Sequence, residues 1–331
     1  DIIRKFIDMY AGRLRNQVSF MLSACNFYMP IFEEALDAYG LPLELRYLPI
    51  IESALNPSAV SRAGASGLWQ FMIGTGKIYG LESNSLVDER RDPIKATWAA
   101  ARYLKEMYDI YGDWNLVIAA YNCGPGTINK AIRRANGETD YWKIYNYLPK
   151  ETRGYVPAFI AANYVMTYYC DHNICPMETN IPASTDTVQV NKNLHFEQIA
   201  DLCNVPLDQI KSLNPQYKKQ MIPGDSKPYT LRLPIDAIST FIDKQDTIYA
   251  HRADELFRNR KTVAVKEITP STRKTTTAVA GKGKLTYYTI KSGDTLSTIA
   301  GKYGVTIKDI QRWNGMSNTK IAAGKRLKIY K

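Results

Sequence analysis

Apolar residues in the first 178 positions recur at helical spacing, whereas beyond Pro182 they fall in shorter runs with β-branched starts. Ile2, Ile3, Phe6, Ile7, Tyr10 and Leu14 mark one face of a first helix, and Met29 to Tyr39 forms a second that opens with Pro30 near its start. Gly40-Leu41-Pro42 punctuates the chain, and a third helix carries Leu43 to about Ala54. Pro49 within it predicts a kink or a broken hydrogen bond just before Glu52, and Asn56-Pro57 ends it. Gly64, Gly67, Gly74 and Gly76, with small residues between them, make a loop that allows close backbone approach. Asp92-Pro93 supplies an N-cap and a first-turn proline for the strongest helix, Ile94 to about Tyr108. Its packed face is Ala96, Ala99, Ala100, Tyr103, Leu104 and Met107. A short helix from Leu116 to Tyr121 runs into the turn Asn122-Cys123-Gly124-Pro125-Gly126. Thr127 to about Ala135 and Tyr155 to about Tyr169 complete an almost wholly helical domain, residues 1–178.

Two later stretches match each other at an offset of 100 residues: Val190 with Ile290, Ile199-Ala200 with Ile299-Ala300, Val205 with Val305, Ile210 with Ile310 and Asn214 with Asn314. Each reads strand, helix, helix, strand, and two widely spaced copies indicate duplicated modules rather than a solenoid. The predicted modules are 185–235 and 285–331, joined by a connecting segment, 236–284, whose Lys261–Lys284 stretch has the Thr-, Lys- and Gly-rich composition of a linker.

A length of 331 residues suits two or three domains. No apolar run approaches the roughly 18 residues of a spanning helix. The first residue is Asp rather than Met, which leads to the expectation of a trimmed or processed chain, with any signal peptide or lipid anchor upstream. Five cysteines show no zinc-ligand pattern; Cys170 and Cys175 are spaced so that either a disulfide or two thiols suits them. Three scattered histidines, none beside acids or cysteines in a ligand pattern, lead to no expectation of a His-rich metal site.

The net charge of +11 is uneven: residues 251–331 carry 18 Lys/Arg against five Asp/Glu, and residues 1–250 come to −2. A basic tail on a nearly neutral body fits a polyanion partner: nucleic acid, an acidic membrane or an anionic cell-wall polymer.

The chemistry centres on Leu48-Pro49-Ile50-Ile51-Glu52-Ser53. A carboxylic acid delivers a proton near neutral pH when its ionised form is disfavoured, and an apolar pocket does that. Glu52, preceded by Pro49-Ile50-Ile51 and facing an aromatic-rich loop, is therefore expected to have a raised pKa from desolvation. The nearest other acids, Asp88, Glu89 and Asp92, fall in a charged turn and a helix cap and are read as capping and solvated groups.

Three motifs then occur in order: Glu52-Ser53 after an apolar helix, Gly64-Ala65-Ser66-Gly67-Leu68-Trp69-Gln70-Phe71, and Ala119-Ala120-Tyr121-Asn122-Cys123-Gly124-Pro125-Gly126. With Glu151-Thr152-Arg153-Gly154-Tyr155-Val156-Pro157 they resemble family 1 lytic transglycosylases, the goose-lysozyme-like enzymes of bacterial cell walls, over about residues 40–170. Cys123 stands where many relatives carry a small residue such as Ala. Trp69 and the C-terminal repeats resemble the membrane-bound type D subgroup. Tyr288-Thr289-Ile290-Lys291-Ser292-Gly293-Asp294-Thr295-Leu296 and Asn314-Gly315 are similar to LysM modules, which bind N-acetylglucosamine-containing glycans. The first copy has Asn193-Leu194-His195 in place of Gly293-Asp294-Thr295, so there the likeness extends to the fold rather than to the glycan contacts.

The resemblance implies a mainly α, goose-type lysozyme-like catalytic domain followed by two small α+β (βααβ) modules, and a reaction with neither metal nor organic cofactor. It implies that Glu52 protonates the leaving oxygen between N-acetylmuramic acid and N-acetylglucosamine and then, as base, draws the proton from the sugar's own 6-hydroxyl, giving a 1,6-anhydro end. By the same likeness Ser66 and Gln70 supply hydrogen bonds in the cleft, Ser66 near Glu52 or the N-acetyl group. Asn122 holds an acetamido group or ring oxygen, and Tyr155 orients Glu52. Met72 and Tyr121 are equally suited to substrate and to core; Trp69, Phe71, Trp98 and Tyr103 are read as core. Gly293, Asp294, Thr295, Leu296 and Asn314 would grip glycan in the LysM module. The expected partner is the peptidoglycan glycan strand, with anionic wall polymers beside it and no nucleic acid. The expected location is the periplasm or outer cell envelope, with membrane contact only through an anchor outside this chain. The rivals are a muramidase hydrolysing the same bond and a non-catalytic wall-binding scaffold.

Overall fold

Helix α1 (Ile2–Ala11) lays its apolar stripe against a later helix of the same domain, and α2 (Arg15–Ala38) follows after a three-residue turn. The computed structural model describes residues 2–179, 181–182, 184–257, 285–290, 294, 296–314, 316, 321 and 324–330. These belong to two compact units, 1–270 and 271–331.

In the first unit α2 begins well before Met29 and carries Pro30 in its interior, not near its start. The third predicted helix is divided: a 3-10 turn spans Leu43–Tyr47 and α3 spans Leu48–Ser53, with Pro49 in its first turn. A first-turn proline gives up an N–H that has no intrahelical acceptor anyway, so the break falls ahead of Pro49 and Glu52 rides on an intact turn. There follow α4 (Ile73–Ile78), α5 (Pro93–Tyr111), α6 (Trp114–Cys123), α7 (Pro125–Arg134), α8 (Tyr141–Ile144) and α9 (Lys150–Thr167). Asp92 caps α5 by accepting from the amides of Ile94 and Lys95, and Asp113 caps α6 through Leu116. Alanines at 96, 100, 119 and 120 are fully buried, where α5 packs against α2 and α6, and α6 against α9. Trp98, expected in the core, lies at the surface edge-on to Tyr39. Cys170 and Cys175 are free and exposed.

The second half of this unit is a small α+β module. Strand β1 (Thr185–Val190) pairs antiparallel with β4 (Tyr229–Pro234), from Thr185 opposite Pro234 to Val190 opposite Tyr229. Between them lie β2 (Asn193–His195), α10 (Phe196–Cys203), α11 (Leu207–Leu213) and β3 (Met221–Pro223), which pairs with β2. Asn214 clasps the end of α11 to β4: its amide donates to the carbonyls of Ile210 (2.9 Å) and Arg232 (2.8 Å) and accepts from the Arg232 amide (2.8 Å). The module does not stop at 235. Helices α12 (Ile235–Asp243) and α13 (Gln245–Ala250) bury Ala237, Phe241 and Ile248 in its core, so these residues are structure rather than the expected connecting segment. The same core takes Leu86 and Val87 from the helical domain, and Val87 forms a β-bridge with Tyr217.

In the second unit β5 (Leu285–Thr289) pairs antiparallel with β6 (Arg326–Tyr330), with α15 (Leu296–Tyr303) and α16 (Ile307–Asn314) between them. Helix α14 (Ala253–Leu256) belongs to the first unit. Asn314 repeats the clasp, donating to the carbonyls of Ile310 (2.8 Å) and Lys328 (2.9 Å) and accepting from the Lys328 amide (2.7 Å). Gly293, Thr295 and the stretch 261–284 read as a linker lie outside the described residues.

Candidate active site

Glu52 sits in the last turn of α3, which closes on two successive residues in the left-handed region, Ala54 (φ 51°) and Leu55 (φ 58°). Non-glycine residues pay roughly 1 kcal/mol or more each for that conformation. The turn is held in place by Ser53, whose hydroxyl lies 3.0 Å from both the Pro49 and Leu68 carbonyls and so ties α3 to the glycine-rich loop. That loop is anchored in the core by Trp69, fully buried, whose indole donates to Thr97 (2.9 Å) and whose ring meets Phe32 edge-on. At Gly67 (φ +87°) a Cβ would stand 1.8 Å from the Arg90 carbonyl oxygen, so no side chain is accommodated. Gln70 (φ 49°) folds its amide back onto the Gly67 carbonyl at 2.8 Å.

The Glu52 carboxyl is half-buried and lines a cavity of about 490 Å³ together with Gln70. Tyr10, Leu14, Gln17 and Met21, from α1, α2 and the turn between them, form another wall. Tyr155 of α9, itself buried, donates its phenol hydrogen to Oε1 of Glu52. Pro157, two residues on, cannot donate to the Arg153 carbonyl, and the buried phenol of Tyr141 does so instead at 3.0 Å, completing the turn that carries Tyr155. Burial pushes the Glu52 carboxyl up; the Tyr155 hydrogen bond draws it down and the charge of Glu151 adds to the rise, leaving it at about 7. Tyr121 stands close enough that the Glu52 charge, after burial, raises its phenol well above the ordinary value. Its hydroxyl donates to the Trp69 carbonyl (2.6 Å) and its ring packs on Tyr103, so Tyr121 braces the loop beside the acid.

The structure thus brings Glu52, Gln70, Tyr121 and Tyr155 together. Asn122 follows Tyr121 on α6, its carbonyl oxygen accepting from Thr152 of α9 at 2.9 Å, and Met72 is exposed ahead of α4. Ser66 does not fit its expected role. It is fully buried, and its hydroxyl accepts from Arg91 (3.1 Å) instead of facing the cleft. In the second unit the amide of Asn314 is wholly engaged by backbone and Leu296 is buried, so both hold the module together in place of the glycan contacts expected of them. Asp294 accepts from the Tyr288 hydroxyl at 2.8 Å.

Of Asp88, Glu89 and Asp92, read from the sequence as capping and solvated groups, Asp92 caps α5 and the other two are not solvated. Asp88 and Glu89 are buried. Asp88 receives two hydrogen bonds from Arg90, each 2.8 Å, and Lys218 lies 3.7 Å away. Burial alone would raise this carboxyl; the Arg90 hydrogen bonds and the charges of Arg90, Lys218 and Arg91 override it and hold it below the usual aspartate value. Arg90 also donates to the Gly64 and Phe71 carbonyls, so the ion cluster grips the glycine-rich loop from behind.

Residues 29–144 match the family model of the transglycosylase SLT domain. This stretch is a transglycosylase SLT domain. Residues 184–250 match the LysM-like domain of lytic transglycosylase MltD, and residues 288–329 match the LysM domain. The chain is 33% identical over 296 residues to membrane-bound lytic murein transglycosylase D of Escherichia coli strain K12, covering 88% of this chain and 60% of that one. It is 33% identical over 124 residues to the soluble lytic murein transglycosylase of the same strain, covering 36% of this chain and 19% of the relative. The crystal structure of the 70 kDa soluble lytic transglycosylase from Escherichia coli matches with a TM-score of 0.38 and 29% identity, over 43% of this chain and 24% of that one. The chain therefore carries a helical SLT domain followed by two LysM-type modules, and spans about three-fifths of the first relative's length. The SLT match includes Glu52 and Gln70 but neither Tyr155 nor the α1 wall of the cavity.

Proposed function

We propose that the chain is a peptidoglycan lytic transglycosylase acting with one acid. Glu52, neutral up to about pH 7, protonates the oxygen of the β-1,4 bond between N-acetylmuramic acid and N-acetylglucosamine as positive charge develops on the sugar. The leaving chain departs with that proton. The resulting carboxylate takes the proton of the 6-hydroxyl, whose oxygen closes on C1 to give the 1,6-anhydro product; no water is consumed. The observation that carries this reading is the Glu52–Tyr155 pair at the cavity wall: a desolvated acid kept protonated, with a phenol donor ready to stabilise it once ionised. Glu52 is the sole carboxyl among the residues lining that cavity, and Glu151, the like charge that acts on it, is exposed at the start of α9.

Acting on such a substrate, the enzyme would work in the periplasm or outer cell envelope. The LysM-type module of residues 285–331, tethered to the SLT domain, raises the local concentration of glycan at the cleft. Digestion of purified sacculi followed by mass spectrometry tests the reading. Anhydro ends are expected and Glu52→Gln abolishes them; reducing ends would make the protein a muramidase, and intact sacculi a binding scaffold.

A further inference from the structure

A second cavity, about 550 Å³, opens against the one that holds Glu52. Gln17, Ser53 and Ala54 line both, so the groove continues past the acid toward the turn between α1 and α2. Its outer wall is Arg13, Asn16 and Phe20, which precede the SLT match altogether.

The chemistry of that wall differs from the rest of the groove. Arg13 is exposed and makes no ion pair among the described residues. The neighbouring arginines are engaged: Arg4 pairs with Asp8 at 3.1 Å, and Arg15 donates to the carbonyls of Ala11 (2.9 Å), His172 and Asn173 (2.6 Å each). A guanidinium is a planar fork matched to carboxylate. Next to it stand two side-chain amides, suited to peptide groups, and Phe20, which is 42% exposed beside the cavity and offers apolar contact. A glycan of N-acetylated sugars carries no charge for Arg13 to meet. In peptidoglycan the negative charge belongs to the peptide stem borne by each muramic acid, attached to the very residue whose bond is cut.

We propose that the α1–α2 turn is a subsite for the acidic peptide stem of muramic acid, with Arg13 pairing a stem carboxylate and Asn16 and Gln17 bonding stem amides. The proposal rests on the transglycosylase reading above and adds a substrate requirement to it: strands bearing stems are preferred over bare glycan.

The test compares the wild-type chain with Arg13→Gln and Arg13→Lys on two substrates, glycan strands with intact stems and strands from which an amidase has removed them. On stem-bearing strands Arg13→Gln is expected to lower kcat/KM about tenfold, mainly through KM, with Arg13→Lys recovering part of the loss. On bare strands both variants stay within about twofold of wild type. Equal losses on the two substrates, or no loss on the first, overturn the subsite. A binding arm separates this from failure of the enzymatic reading. Calorimetric titration of Glu52→Gln with muramyl tetrapeptide, with and without Arg13→Gln, is expected to show affinity weakened about tenfold by the second change. Unchanged or undetectable binding in that arm overturns the subsite even if the wild-type chain cleaves nothing.

Discussion

Tyr155 donates its phenol hydrogen to Oε1 of Glu52, joining α9 to α3. A hydrogen bond to a carboxylate favours the ionised form, so this contact opposes the effect of burial. Tyr155→Phe should therefore raise the Glu52 pKa above about 7 and move the basic limb of kcat/KM to higher pH by about a unit. Turnover should fall at least tenfold, because the carboxylate formed after proton transfer loses its donor. A pH–rate profile reads both effects, and an unmoved basic limb would mean that the phenol does not reach the acid in solution.

Glu52→Gln has a consequence for stability that is separate from activity. The folded carboxyl titrates at about 7 and an unfolded one at its ordinary value of 4.5, so between those values the folded state holds the extra proton. Stability thus falls as pH rises through this window and levels off above it. The neutral amide escapes that loss. Thermal unfolding should show Glu52→Gln more stable than wild type at pH 8, by up to about 3 kcal/mol, and no better at pH 4. Parallel Tm curves across the range would refute a buried, raised acid.

Asp88 works in the opposite sense. Its carboxyl is held low, so its contribution is present above the ordinary aspartate value and is lost as pH falls through its folded one. Asp88→Ala leaves Arg90 buried without its partner and should cost about 3 to 5 kcal/mol. Lys218→Met, which leaves the Asp88–Arg90 bonds in place, should cost no more than about 2 kcal/mol while loosening the junction with the β1–α13 module. Chemical denaturation gives both costs, and limited proteolysis near residue 180 reports the loosening.

Asn314→Ala removes three backbone hydrogen bonds at once and should destabilise the second unit by about 1 to 3 kcal/mol. At a temperature where the variant remains folded, chitin-oligomer affinity should stay within about twofold of wild type. A large loss of affinity in a folded variant would restore Asn314 to the glycan surface.

The sequence was most legible where local rules decide. Asp92-Pro93 marks the start of α5, and apolar spacing places α1 and α9 without reference to the rest of the chain. Glu52 was recognisable because an apolar run ends in a lone acid, and Tyr155 because its motif resembles that of known relatives. What local reading could not supply is direction. Ser66 directly precedes Gly67, whose missing side chain admits the Arg90 carbonyl, and that packing turns its hydroxyl toward Arg91. Asp88 and Glu89 look solvated in a charged turn until Lys95, Arg90 and Lys218 arrive from three directions. Helices α12 and α13 are short and interspersed with charges, so they read as connection; the surface that α10 and the β1–β4 pair present makes Phe241 and Ile248 core. The inner wall from Tyr10 to Met21 carried no distinguishing signal, since a residue that packs and one that lines a groove share the same helical spacing.

The paired asparagines at 214 and 314 change how kinship among such repeats is to be weighed. Each fastens a helix end to a strand, so the letter persists for as long as the architecture does, whatever the surface has become. A copy that has given up sugar and taken on a neighbouring loop as its ligand would still announce itself as a member of the lineage. Counting these letters measures ancestry; appetite for glycan has to be assayed.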